Sequence, residues 1–266
     1  MLNIKKISLI ALLLLLIGVI GCLLTFQSAF QAEPIHEERT FNQDIKHIKI
    51  NSDNATVNVM RTSDPEIVAE LTGTNSKGRK SHFNTEVKGD TLVIDFDEAQ
   101  VKYFNFLFHE YHLQLNVYLP EKIYDSITVD LVNGNVDIEE LQVTDLKAKT
   151  VNGKINIEYV ETSNVQVLSE NGAIYLKHTT GQILGNVTNG KITIEAEHLE
   201  QNMNLESING AIDVRTMTDP INVDIDVENE NGIVRLFGEK DYHFTVGNGE
   251  HHIHLKSVNG NISVRK

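Results

Sequence analysis

The chain has no tryptophan and a single cysteine among 266 residues. One cysteine excludes an intrachain disulfide framework and any CxxC metal or redox site. Basic residues are scarce: 23 Lys and Arg stand against 37 Asp and Glu, a formal charge of −14. That balance argues against a general nucleic-acid binder, which needs a basic face to neutralise phosphates. It argues equally against adsorption to anionic lipid through a broad basic surface. No GxSxG, P-loop, dinucleotide fingerprint or HExxH occurs, and His109-Glu110-Tyr111-His112 has the wrong spacing for the last. Helical patterning is also nearly absent after the first 26 residues; its one weak candidate is Glu195–Gln201. Apolar residues make up 41% of the chain, enough for a packed core, so a disordered chain is excluded.

The amino terminus holds the longest apolar run. From Ile7 to Phe26 there is no charge, and Lys5 and Lys6 precede it. About 20 apolar residues span a bilayer core, and flanking lysines stay cytoplasmic. The expectation is an uncleaved anchor over residues 1–26, a polar linker over 27–40 and an extracytoplasmic domain over 41–266. Two other readings of the run stay open. A cleaved secretory signal would need a small-residue site, and the stretch near Gln27–Ala29 is a poor one. Val19-Ile20-Gly21-Cys22 resembles a bacterial lipobox, which would place a lipid on Cys22, although Leu23, Leu24 and Phe26 prolong the apolar run beyond it. All three readings put the remainder outside the cytoplasmic membrane.

That remainder is dominated by a repeat. Asn-Gly occurs at Asn133, Asn152, Asn171, Asn189, Asn209, Asn231, Asn248 and Asn259, with successive spacings of 19, 19, 18, 20, 22, 17 and 11. Six residues before each Asn the side chain is apolar, from Ile127 to Ile253. Four before it, only Gly185 lacks a side chain to bury. Two and four residues after the Gly come pairs such as Val136/Ile138, Ile155/Ile157 and Ile262/Val264; His251/Ile253 after Gly249 departs from the rule. Period-2 alternation on both sides of a turn is the pattern of half-buried strands. Glycine tolerates positive φ, and Asn tolerates it better than most residues, so each dipeptide is expected to form a tight turn through that backbone region.

Two architectures satisfy this pattern. One is a meander or sandwich of Asn-Gly hairpins. The other is a β-solenoid, parallel β-helix-like, in which Asn-Gly forms the same corner of every 17–22-residue coil. The solenoid is favoured for two reasons. Connectors carry a further apolar residue (Leu141, Val160, Leu199), as a third coil side would need. Identical Asn corners can also stack into a ladder. Residues 41–120 hold weaker strand patterns, such as Val57/Val59 and Leu92/Ile94/Phe96, and read as the start of the same sheets.

Leu113–Pro120, Ile127–Val129 and the recurring Val-Asn-Gly-Lys-Ile-Asn-Ile unit at Val151–Ile157 resemble the bacterial "putative adhesin" domain of unknown function, which includes LiaG-like membrane-anchored proteins. The resemblance spans residues 41–266. It implies a β-solenoid-like domain carried on one membrane helix, and it carries over no catalytic residue.

Four groupings could carry chemistry. His251, His252 and His254, with His243, could approach a divalent metal, but read better as an exposed strand face. Asp224, Asp226, Glu228 and Glu230 form an acidic stripe without the spacing of calcium-binding repeats, and read better as a solvated face that blocks edge pairing. Lys77, Arg79 and Lys80 could meet phosphate and read better as a solvated loop. Tyr103, Phe104, Phe106, Phe108 and Tyr111 read as core or end-capping. No catalytic, cofactor-binding or metal residue is therefore assigned. The expected role is non-catalytic surface binding in the cell envelope, adhesin-like or as an envelope-stress accessory, with a membrane protein or wall component as partner and no nucleic acid. A β-helix enzyme acting on polysaccharide is the alternative.

Overall fold

A computed structural model describes residues 4–29, 32–76, 81–98 and 113–266. Helix α1 (Ile4–Ala29) comes first. The amino-terminal strands are β1 (Ala32–Phe41), β2 (His47–Asn54), β3 (Thr56–Thr62), β4 (Ile67–Ser76), β5 (Ser81–Lys88), β6 (Thr91–Glu98) and β7 (Leu113–Pro120). The repeats follow as β8 (Ile123–Asn133), β9 (Val136–Glu139), β10 (Gln142–Asn152), β11 (Ile155–Glu158), β12 (Glu161–Asn171), β13 (Ile174–Lys177), β14 (Gln182–Asn189), β15 (Ile192–Ala196), β16 (Met203–Asn209) and β17 (Ile212–Thr216). The carboxyl end holds β18 (Val223–Asn231), β19 (Val234–Leu236), β20 (His243–Val246), β21 (His251–Asn259) and β22 (Ile262–Arg265).

These strands form two 11-stranded sheets. The first runs β1-β4-β7-β3-β9-β11-β13-β15-β17-β22-β19, the second β20-β18-β21-β16-β14-β12-β10-β8-β2-β6-β5. The strand before each ladder Asn-Gly lies in the second sheet and the strand after it in the first. Each such corner therefore carries the chain between sheets, which a hairpin turn cannot do. The antiparallel pairs, β1–β4, β4–β7, β5–β6 and β18–β20, all lie at sheet ends. The interior is parallel, all-β and solenoid-like. Alternate side chains point inward to one shared core. The rows two and four residues after the corner glycines are fully buried, from Val136 and Ile138 to Ile262 and Val264.

Several expectations change. Leu141, Val160 and Leu199 are buried, but each fills the edge between two sheets rather than a third side. Glu195–Gln201 is not helical: β15 ends at Ala196, and the next residues are irregular around the buried Leu199. Much of the stretch read as linker is the edge strand β1, paired antiparallel with β4 from Ala32 to Phe41. Asn248 is not a coil corner. Its turn carries the chain from β20 over the start of β18 to β21, and Asn222 Oδ1 accepts from the amides of Asn248 (2.9 Å) and Glu250 (3.1 Å). Accordingly Tyr242, six residues before Asn248, is exposed.

The coils also do not stack in chain order. The last coil, β21 and β22, sits between the coil of β16 and β17 and the coil of β18 and β19. Of α1, side chains are described for residues 6–22, and its large apolar ones are exposed. Among the described residues no helix is long and apolar enough to cross a membrane.

Candidate functional site

The faces turned outward are built by the corners. Asn54, Asn133, Asn152, Asn171, Asn189, Asn209, Asn259 and Asn231 stand in one register across the second sheet. From Asn133 onward each side-chain amide donates from Nδ2 to its neighbour's Oδ1: 3.0 Å from Asn133 to Asn54, 2.8–2.9 Å through the middle, and 3.1 Å from Asn231 to Asn259. Asn54 joins the ladder without a following glycine, so the dipeptide count missed it.

The glycines serve close approach rather than positive φ. Of those on the ladder only Gly134 has positive φ, 147°. A Cβ on Gly153 would lie 1.9 Å from the Gly134 carbonyl oxygen, closer than any side chain can come. An inner row supports these carbonyls. Thr150 Oγ1 donates to Gly134 O (3.1 Å), Ser169 Oγ to Gly153 O (3.3 Å) and Ser257 Oγ to Gly210 O (3.0 Å). These buried hydroxyls stand two residues before Asn152, Asn171 and Asn259.

At the carboxyl end the histidine and acidic motifs meet. Parallel pairing of β18 with β21 sets Asp224 beside His252 and Asp226 beside His254. Antiparallel pairing with β20 adds Thr245 and His243 on the other side. His252 Nδ1 lies 3.5 Å from Asp224 Oδ2, His254 Nδ1 3.5 Å from Asp226 Oδ2 and His243 Nε2 3.5 Å from Asp224 Oδ1. Thr245 Oγ1 donates to Asp224 Oδ1 at 2.6 Å, and Lys256 Nζ to Glu228 at 2.6 Å. The Thr245 hydroxyl, and then the neighbouring histidines, hold the Asp224 carboxyl below the usual carboxylate range. Among the described residues no three His, Cys, Asp or Glu side chains are arranged to hold a metal ion. The arrangement can exchange protons and pair charges. His251 falls on the other parity and takes no part in these pairs.

On the first sheet Lys191, Arg215 and Arg265 all donate to Asp213 Oδ2, at 3.1, 2.9 and 3.1 Å. Burial raises the Asp213 pKa, but these three hydrogen bonds outweigh it and hold the carboxyl below its ordinary value. Sequence reasoning missed this cluster because its members come from three coils.

The second corner was missed as well. Glu140, Tyr159 and His178 each stand seven residues after a corner Asn, with φ of 54°, 55° and 47°. Each turns the chain so that the next residue, Leu141, Val160 or Thr179, is buried. Tyr159 and His178 stack at 5.1 Å between ring centroids, 18° from parallel. A hollow of about 360 Å³ borders Tyr159 beside Glu140 and Arg61, and another of about 420 Å³ lies on the His178 side. Lys77, Arg79, Lys80 and the Tyr103–Tyr111 aromatic group lie outside the described residues.

The repeat pattern has counterparts in other proteins. Residues 45–176 and again 139–265 match the Toastrack DUF4097 family, so that most of the chain is covered. The chain belongs to the Toastrack DUF4097 family. A curated relative, the uncharacterized protein YvlB of Bacillus subtilis, is 26% identical over 136 residues, 48% of this chain and 34% of that protein. The matched part is thus about a third of the relative's length. Among solved structures, a putative cell adhesion protein from Clostridium sporogenes aligns at TM-score 0.45 and 15% identity, covering 88% of this chain and 99% of that one. A putative adhesin from Bacteroides fragilis aligns at TM-score 0.45 and 12% identity, covering 86% and 97%. For this Toastrack chain the strand pairing above is the ground for the architecture.

Proposed function

We propose that this Toastrack domain is a non-catalytic, adhesin-like surface domain, held on the outside of the cytoplasmic membrane by α1 and acting in the bacterial cell envelope. The observation that carries the reading is the contrast between α1 and the sheets. Large apolar side chains all round α1 are exposed, Leu9 at 67% and Leu15 at 63%, whereas the inward-facing apolar rows of the sheets are buried. A helix apolar on every side needs an apolar surrounding. The described side chains of α1 stop at Cys22, and the uncharged run of the sequence continues to Phe26, about the length of a bilayer core. Lys5 and Lys6 orient the amino terminus inward.

Surface action is supported by the form of the sheets. A stack of coils offers long, regular, polar faces suited to extended partners. A membrane protein or a wall component is the partner class proposed. The test is labelling of intact cells making the full chain with a membrane-impermeant, amine-reactive crosslinker, followed by mass spectrometry. Labelling of Lys147, Lys149 or Lys256 in intact cells is expected. Labelling only after lysis would overturn the reading.

A further inference from the structure

The second corner of the coils carries a feature that surface binding leaves unassigned. Tyr159 is half exposed (50%), yet it occupies a left-handed backbone conformation that bulky residues avoid. The coil needs that conformation at this point to bury Val160; it does not need an aromatic ring. Asn or Gly would take the same backbone with less strain. Strain retained at an exposed position points to a task for the side chain.

The ring is held in place. His178 stacks on it at 5.1 Å, and Lys177 Nζ lies 5.3 Å from its centroid. Tyr159 also borders the hollow of about 360 Å³ on the side of the preceding coils, lined by Arg61, Glu121, Glu140, Gln142 and Glu161. That volume falls in the range of ligand clefts. The polar groups are planar and already ordered by one another. Arg61 meets Glu140 at 3.0 Å and Glu121 at 3.3 Å, and Gln142 Nε2 donates to Glu161 at 2.8 Å. Lys122 also borders the hollow, so its charges nearly cancel although the chain is strongly acidic.

We propose that the hollow beside Tyr159 binds a neutral pyranose oligosaccharide, with one sugar ring on the Tyr159 face and its hydroxyls on Arg61, Glu140, Gln142 and Glu161. The C–H bonds on one face of a pyranose are weakly positive and pack on the negative face of an aromatic ring. Hydroxyls at the ring edge both donate and accept, and so suit a mixed set of guanidinium, amide and carboxylate groups. Three glutamates against Arg61 and Lys122 leave no net positive charge to hold an anionic polymer, and an apolar ligand would leave the polar groups unmatched. This inference rests on the surface-binding reading and names its ligand class.

The experiment is saturation-transfer NMR on the full chain in a detergent without a sugar headgroup. The probes are cellotriose, maltotriose and triacetylchitotriose, against wild type, Tyr159→Asn and Tyr159→Phe. Thermal melts confirm that each variant is folded. Transfer to the ring protons of at least one probe is expected. It should persist in Tyr159→Phe and weaken about tenfold in Tyr159→Asn, the scale of one lost stacking contact. Strongest transfer to the acetyl-bearing probe would point to an N-acetylated envelope glycan, and to the other two a plain hexose polymer. No transfer from any probe, or equal transfer with Tyr159→Asn, overturns the proposal. Such a failure leaves surface exposure standing if the lysines still label in intact cells; failure of that labelling sinks the parent reading instead.

Discussion

Each central coil turns twice, and the two corners solve the turn differently. At the Asn-Gly corners, Gly134 apart, the chain avoids positive φ and gives up a side chain, because the carbonyl of a neighbouring coil occupies the space. At the second corner Glu140, Tyr159 and His178 keep their side chains and accept left-handed angles. One corner is limited by room and the other by torsion. Their tolerance to substitution should differ accordingly.

The largest effect is expected at the crowded corner. In Gly153→Ala the new methyl meets the Gly134 carbonyl at 1.9 Å and must push two coils apart. A loss of about 2–3 kcal/mol is expected in urea unfolding. Gly89 is the control, since its φ of 66° is positive but nothing lies within 4 Å of its Cβ position. Gly89→Ala should cost about 1 kcal/mol, from torsion alone. Equal losses at both sites would break the distinction between room and torsion.

The ladder gives the next effect. Asn171→Ala in mid-ladder removes the bond to Asn152 and the bond from Asn189. Both are exposed, so about 1 kcal/mol is expected. Asn248 lies outside the ladder, and Asn248→Ala should stay within about 0.5 kcal/mol by the same measurement. Similar values for the two would remove the ladder from the account of stability.

Much of the first corner was legible in the sequence. Asn, Gly and the flanking apolar rows recur with the coil, and a pattern repeated that often needs no tertiary information. The reason was misread, however: the glycines answer to the neighbouring coil rather than to their own φ. The second corner left only the apolar Leu141 and Val160 as a trace, because Glu140, Tyr159 and His178 share no chemistry and only their position seven residues after Asn is common. The pairing of Asp224 and Asp226 with His252 and His254 was illegible for a third reason. Sequence order would stack β18 on β16, but β21 lies between them. Two motifs that each looked like an isolated polar face therefore became neighbours only through the inverted order of the last coils.

Relief of torsion at the second corner should be smaller and of opposite sign. Tyr159→Gly keeps the turn and removes the strain, while losing the stack with His178. A gain of about 0.5 kcal/mol is expected from the balance of those terms. A loss of more than about 1 kcal/mol would show that the ring supports the coil, and would weaken the case for a functional aromatic at this corner.

The smallest effect tests β20, the outermost strand of the second sheet, which carries neither corner. Strand β20 is held on one side only, by its pairing with β18 and by Thr245 and His243 reaching Asp224. Hydrogen bonding from Thr245 and the histidine charges lower the Asp224 pKa in the folded state. The unfolded state therefore takes up this proton first as the pH drops. The contribution of Asp224 is complete above the unfolded carboxylate value of about 3.9 and fades as the pH falls through its lower folded value. Amide exchange across His243–Val246 should accordingly speed up below about pH 4, relative to the paired core of β10 and β12. In Asp224→Asn that extra acid sensitivity should disappear, leaving β20 with one exchange ratio to the core from about pH 3 to pH 6. Persistence of the acid step in Asp224→Asn would move its origin from this carboxylate to the backbone pairing of β20. The end coil would then owe its stability to stacking, like the coils beneath it.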